Sequence, residues 1–474
     1  MSTPPRRRIA VVGAGLTGLA AARQLLEAGA GRPPADIVLF EAASRPGGIV
    51  STVQRDDFVI EEGPDSFITD KPEALALCEK LGLSDSVIQV RPGSRTSFIV
   101  HRGRLVRTPE SFQLLAPARL GPTLRSPLLS PLGKLRLAFE PFVAPRTRDR
   151  AGNSDESVAS FITRRMGREV FERIAQPMVG GIYGADPETL SLAATFPRFL
   201  RMEAEHGSVV RGLRAAAQAA SGPRYSLFAS LARGMQSLTD ALAGSLPPGV
   251  LRVSTPVKRI GPASPAGAGG WEVETSAGAQ RFDAVLLAVP AAIAARLVEA
   301  FDPAIASALS GGASGSSVNV ALAYDAGDIR HPMDGAGFVV PAIEGRPILG
   351  GSFVHRKFEG RAPEGKALLR IFLDARALEL DDAEIVALVG REIVPLLGVE
   401  KAPLFAHVTR WREAMPHPRI GHLGRVADLR SRASRWPGLL LAGSSYDGVG
   451  LPDCVRSGES AARSLLEEGA PRAH

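Results

Sequence analysis

Gly13, Gly15 and Gly18 follow the run Ile9-Ala10-Val11-Val12 and open onto an alanine- and leucine-rich segment, Leu19 to Leu26. That order suits one piece of chemistry, the capture of a pyrophosphate by backbone. Gly13 permits the tight turn and Gly15 lets the chain approach a phosphate. Leu16 and Thr17 begin the helix, and Gly18 lets it pack closely on the strand. The helix start offers unpaired N–H groups and the positive end of a dipole. A second strand pattern, Asp36-Ile37-Val38-Leu39-Phe40, ends in Glu41, an acceptor for a ribose diol. Glycine spacing alone is weak evidence. Strand, glycine turn, helix, strand and acid in this order predict a dinucleotide-binding unit.

Further turns narrow the choice of dinucleotide. Glu41 leads into Ala42-Ala43-Ser44-Arg45-Pro46-Gly47-Gly48. A second close backbone approach at Gly47 and Gly48, next to Arg45, suits a longer cofactor lying extended, as FAD does. Glu61-Glu62-Gly63-Pro64-Asp65-Ser66 adds a tight turn able to sit against a flavin. Either turn alone could be ordinary surface; both in series fit that reading poorly. Near the far end, Leu439-Leu440-Leu441-Ala442-Gly443 reads as a buried strand. Ser444 to Asp453, with Val449, Gly450 and Leu451, then leads into a helix from Cys454 to Leu466. Backbone N–H groups aimed from there would stabilise charge on a reduced flavin. The alternative is an ordinary βα unit closing the sheet. Val257, at the end of a strand pattern from Leu251, completes the candidate cofactor contacts.

The elements that must position these residues are discontinuous. The 474 residues exceed one core and predict several domains. The reading is α/β with α+β elements: a Rossmann-type FAD-binding domain from 1–85, 225–295 and 416–474. A substrate-binding domain takes 86–106 and 296–415, and 107–224 is helical. Phe98-Ile99-Val100 and Arg104-Leu105-Val106 predict a hairpin around Arg102-Gly103. Phe282 to Pro290 predicts a fully buried strand, and alternation is clearest over Val318–Leu322 and Ala367–Phe372.

Composition removes other classes. Apolar residues at 45% and charged residues at 22% fit a globular protein. Cys78 and Cys454 are the two cysteines. They indicate neither a disulfide framework nor a zinc site. Cys454 is expected to pack as a small apolar residue, with FAD held non-covalently. The eight histidines form no ligand pattern. Arg6-Arg7-Arg8 imitates a signal-peptide start, but no small-residue cleavage site follows and no run reaches a spanning length. The expected location is cytoplasmic. The net charge of +7 is matched by Arg102 to Arg150 alone, where ten basic residues face three acidic ones. Leucines, phenylalanines and prolines interleave them, which suits peripheral contact of 107–150 with an anionic membrane, or a solvated helical face. With aromatic residues at 5%, no nucleic acid is expected as a partner.

Together GAGLTG, EAASRPGG, EEGPDSF and LAGSSYDGVGLPDCVRSGESAA resemble the flavin-containing amine oxidase superfamily. With Gln176-Pro177-Met178-Val179-Gly180-Gly181-Ile182-Tyr183-Gly184-Ala185-Asp186-Pro187, the chain is similar to the oxygen-dependent protoporphyrinogen oxidase family over essentially its whole length. That resemblance implies six-electron oxidation of protoporphyrinogen IX by FAD, with O2 as acceptor and hydrogen peroxide released. Coproporphyrinogen III is the second reading. An amine oxidase or carotenoid desaturase is more remote, as is a flavin-free protein like the GDP-dissociation inhibitors.

Hydride loss from a meso carbon needs no strong protein base, so no catalytic residue is assigned. The site needs a flat apolar slot and cations for propionates. The resemblance implies Phe372 stacking on a pyrrole, Val339 as an aliphatic clamp and Gly181 offering backbone. Two positions depart from the family. Ser97 stands where many members carry an arginine; Arg95, two residues earlier on the same strand face, is either a substitute or a surface arginine, and the second clamp position is Ser352. Both departures weaken the protoporphyrinogen reading, and some relatives without the arginine act on coproporphyrinogen III, with four carboxylates.

Overall fold

The structure is a computed structural model that describes residues 6–27, 35–94, 96–146, 155–219, 227–264 and 269–468. Five parallel strands form its first sheet, in the order Leu251–Arg252, Asp36–Phe40, Arg8–Val12, Ala284–Leu287, Leu439–Leu441. Their apolar runs are continuous because both faces are covered, as parallel sheets require. Ile9 and Val11 face the helices Leu16–Glu27 and Leu451–Glu468, whereas Ala10 and Val12 face Ala291–Val298, Pro303–Ser310 and His422–Ala433. A Cβ on Gly458 would lie 2.2 Å from the Thr17 carbonyl oxygen, so the first and last helices meet backbone to backbone.

The second sheet has seven strands: Phe405–His417, Ala313–Asp325, Lys366–Leu373, Ile348–Phe353, Gly337–Val339, Phe98–His101 and Arg104–Arg107. Pairing is antiparallel except between Gly337–Val339 and Phe98–His101. The Phe98–Arg107 hairpin forms as its sequence predicts. Alternation over Val318–Leu322 does not translate into one wet face: Val318 to Tyr324 are all buried. The helix Asp382–Leu397 covers one side, and Phe58 and Ile60 pack against Ala321 and Ala323 on the other.

Between Leu120 and Ala219 the described residues are mainly helical and build their own apolar cluster around Phe161, Ile162, Ile174 and Val179. Arg165 is fully buried there and ion-paired with Glu140 and Glu203. A π-helical turn, Phe171–Ala175, runs directly into the helix Gln176–Tyr183. Among the described residues, no helix is long and apolar enough to cross a membrane.

Two strand expectations need correction. The Leu251–Val257 strand stops at Arg252, because Ser254 adopts a φ of +50° and Pro256 lacks an N–H. Val257 therefore lies in a loop, half-buried against the sheet's apolar cluster. The Phe282–Pro290 run divides at Asp283, whose carboxylate accepts the Arg8 N–H at 2.6 Å. Phe282 ends the antiparallel strand Gly278–Phe282, and Ala284–Leu287 joins the parallel sheet.

Candidate active site

At the first glycine turn the helix Leu16–Glu27 starts two residues after Ala14. Gly13 has a φ of +98°, and a Cβ there would fall 2.6 Å from the Ala288 carbonyl oxygen. On Gly18 it would lie 1.9 Å from the Gly13 oxygen. On Gly15 it would meet nothing within 4 Å. Two of these glycines are thus demanded by the protein's own packing. The third faces open space, where a phosphate needs to approach. Leu16 and Thr17 are buried behind it.

The second turn lies alongside the first. Gly47 donates to the Ala14 carbonyl at 2.8 Å and bridges Gly15, and a Cβ on Gly48 would be 3.4 Å from the Gly15 Cα. Arg45 is spent on this turn itself, donating to the carbonyls of Pro46, Gly48 and Val50. Glu41 sits at the strand end as expected. Its oxygens accept from Ala14 N at 2.7 Å and Ala43 N at 2.8 Å, so the carboxylate is fixed beside the glycine turn.

The chain's far end closes on the same place. Gly443, at φ +124°, would bring a Cβ to 3.6 Å from Thr17 Oγ1, and its N–H donates to buried Ser457. Ser444 starts a four-residue helix, and the turn Gly448-Val449-Gly450 leads into the helix at Leu451. Cys454 is half-buried, and burial pushes its thiol up to about 11. Burial does the same to Cys78. Neither is an activated thiol.

A third wall is the Glu61–Ser66 turn, held by the seven-stranded sheet. A Cβ on Gly63 would fall 1.7 Å from the Ile49 oxygen. Asn319, Arg370 and Trp411, from three adjacent strands, all donate to the Glu62 carbonyl, at 3.0, 3.1 and 2.7 Å. Arg370 also donates to the Gly63 carbonyl at 2.6 Å. Pro64 follows, half-buried. Asp65 takes Lys357 Nζ at 2.8 Å and the Ser66 hydroxyl at 2.6 Å. Burial alone would raise the Asp65 carboxyl; Lys357 and Arg370 overcome it and hold the group well below the usual carboxylate range. Asp65 and Ser66 therefore serve the turn itself. Behind them, burial raises Glu61, against the lowering pull of Arg361.

Strand register places the expected substrate contacts in one line. Thr409, Asn319, Phe372, Gly350, Val339 and Ile99 are cross-strand partners in sequence. Gly350 separates the half-buried Phe372 from Val339, and a Cβ there would lie 2.5 Å from the Phe338 oxygen. A side-chain gap between an aromatic and an aliphatic residue results. Ser352 and Arg370 pair in the next row. Across from Val339 stands Gly181, where a Cβ would be 3.6 Å from Val339 Cγ1. Val339 and Val449 both border the helical cluster that contains Tyr183. The structure thus brings Val339 to Gly181 and places Phe372 two strands away in the same row. Arg95 lies outside the described residues.

Sequence reading missed Asn319, Arg370, Trp411 and Lys357. Arg370 carried a signal, a charge within the apolar run Ala367–Leu373. Nothing local marked the other three.

These residues fit an extended flavin dinucleotide: an open approach at Gly15, a second glycine turn against it, a fixed acid and a third turn locked by carbonyl clamps. The family model for flavin-containing amine oxidoreductases matches residues 16–466. A coproporphyrinogen III oxidase of Bacillus subtilis is 31% identical, over 97% of this chain and 98% of its own. That of Propionibacterium freudenreichii is 34% identical over 97% and 90%. A solved protein from Exiguobacterium sp., provisionally named a protoporphyrinogen oxidase, superposes with a TM-score of 0.85 at 28% identity, covering 98% of this chain and 100% of its own. The chain belongs to the flavin-containing amine oxidoreductases, and its cofactor is FAD.

Proposed function

We propose that this oxidoreductase oxidises a porphyrinogen to the porphyrin in haem biosynthesis, with coproporphyrinogen III as its substrate. The observation that carries the reading is the row Phe372–Gly350–Val339 facing Gly181. Register sets these residues in one row, with no side chain at Gly350, Val339 against Gly181, and Arg370 in the next row tied to the Glu62 and Gly63 carbonyls of the flavin-side turn. Sequence reading placed protoporphyrinogen IX first. The coproporphyrinogen III oxidases among the relatives reverse that order, and Ser97 and Ser352 agree with the reversal.

Bound FAD supplies the two-electron oxidant, with O2 as the final acceptor. The chain's contribution is placement. Phe372 offers a ring face, Val339 and Gly181 set the width of the gap, and the carbonyl clamps on Glu62 and Gly63 hold the flavin-side wall rigid. Gly13, Gly15, Gly18, Glu41, Gly47, Gly48, Gly63 and the Gly443–Leu451 turn would hold the cofactor. Residues 1–85, 225–295 and 416–474 act in this reading as the FAD-binding part, 86–106 and 296–415 as the substrate part and 107–224 as a helical one. Leu132, Leu135, Phe139 and Phe142 leave an apolar stripe exposed, with Leu132 and Phe142 each at 78%. That stripe would touch a membrane peripherally, and retention on anionic vesicles checks it.

Both porphyrinogens, prepared anaerobically, are mixed with aerated protein while porphyrin fluorescence is followed. Faster oxidation of coproporphyrinogen III is expected. Inertness toward both would sink the assignment.

A further inference from the structure

Three described arginines are pulled below their ordinary value by burial: Arg361, Arg370 and Arg198. The first two have ample partners. Arg361 meets Glu61, Ser230 and the Leu231 carbonyl. Arg370 donates to the Glu62 and Gly63 carbonyls and to Asn319. Arg198 has no ion pair and no hydrogen bond from its guanidinium among the described residues. The residue is partly buried, and its guanidinium carbon lies 4.9 Å from the centre of the Phe199 ring. Asp70, the acid whose charge reaches it, is exposed and only partly offsets the desolvation. A guanidinium that surrenders water without gaining acceptors is costly, and an arriving carboxylate repairs it bidentately.

Its position fits such a visitor. Arg198 is the second residue of the helix Pro197–His206. Phe196, just before that helix, packs edge-on against Tyr183 with ring centres 5.6 Å apart. Tyr183 ends the helix that carries Gly181 to Val339. Asp70 adjoins Lys71, and Lys71 binds Asp453 at 2.5 Å, beneath the Gly448–Gly450 turn. The other cations at this seam, Lys71 and Arg456, are both committed to Asp453. Arg198 alone of the three has its donors free.

We propose that Arg198 is a specificity-determining residue that binds a propionate carboxylate of the substrate, supplying from the helical layer the cation that Ser97 does not. The proposal rests on the porphyrinogen reading of the site.

The test compares wild type, Arg198→Ala and Arg198→Lys as FAD-loaded proteins. Binding of coproporphyrin III and of its tetramethyl ester is read by porphyrin fluorescence titration. KM and kcat for coproporphyrinogen III are measured beside it. Loss of one charged hydrogen-bond pair predicts about tenfold weaker binding of the acid by the alanine variant. The ester should bind both proteins equally, KM should rise while kcat holds, and lysine should restore part of the loss. Equal affinity of alanine variant and wild type for the acid overturns the proposal. So does an equal loss for acid and ester, or loss of the flavin absorbance, since these report a structural role. Wild type that binds the acid more tightly than the alanine variant does, yet oxidises neither porphyrinogen, would defeat the assigned reaction and leave the carboxylate site standing.

Discussion

The two walls of the proposed cleft are made by different means. On the cofactor side the shape is backbone. Gly13, Gly18 and Gly63 admit no Cβ without a contact under 3 Å, while Gly15 faces open space. On the substrate side the shape is side chain, set by which residues share a row across six strands. A wall made of glycine turns tolerates little substitution of any kind. A wall made of side chains can change its ligand one residue at a time.

The largest expected effect tests the backbone wall. Gly18→Ala would drive a methyl to within 1.9 Å of the Gly13 oxygen. It should yield protein without retained flavin, read as the ratio of flavin to protein absorbance. Gly15→Ala, with nothing in the protein to strike, should keep the thermal stability of the flavin-free chain and still bind FAD poorly. Equal behaviour of the two variants would erase the distinction between packing glycines and ligand-facing ones.

Next comes the seam between the walls. Arg370 is buried, and its partners are the two carbonyls of the flavin-side turn. Arg370→Met leaves those acceptors and Asp65 short of a cation, and should lower unfolding free energy by about 3–5 kcal/mol. Denaturant titration checks this. A loss below about 1 kcal/mol would mean that Asn319, Trp411 and Lys357 suffice to hold the turn.

This contrast also explains what the sequence made legible. Glycines at Gly13, Gly15, Gly18, Gly47 and Gly48 are local, so their spacing alone announced the first two turns. Gly443 and Gly450, near the far end of the chain, were readable for the same reason. That the two ends come together is visible only in the fold, where the parallel sheet brings Gly443 to Thr17. The clamp on Glu62 was not readable. It draws Asn319, Arg370 and Trp411 from strands far apart in sequence, and only register brings them together. Strand ends failed for a related reason. Ser254 at positive φ and the division at Asp283 depend on where neighbouring strands stop, which periodicity does not encode.

The substrate wall gives a milder prediction. Phe372→Ala removes the aromatic face but leaves the backbone row intact. Stacking and burial together account for roughly 2 kcal/mol, so kcat/KM for the porphyrinogen should fall on the order of thirtyfold with the flavin spectrum unchanged. A spectral shift of similar extent would place Phe372 against the cofactor instead.

The smallest effect concerns pH, again at the seam. His355 lies in the short helix Val354–Lys357, whose last residue binds Asp65. Its Nδ1 lies 3.2 Å from both the N–H and the carbonyl oxygen of Leu368. Burial pulls its pKa down to about 4, with the charges of Arg356 and Arg91 acting in the same direction. In the unfolded chain the group titrates near 6.5. Between these values the unfolded state binds the proton and the folded state does not, so stability rises with pH across that window. Moving from pH 7 to 5.5 should therefore cost about 1 kcal/mol through this residue. Other histidines with lowered values, such as His417 and His422, act in the same direction. The readout is thus the difference between wild type and His355→Gln, whose amide oxygen can still accept from Leu368. Denaturation midpoints at the two pH values should separate less in the variant. Identical separations would show that His355 is protonated in the folded chain as readily as in the unfolded one.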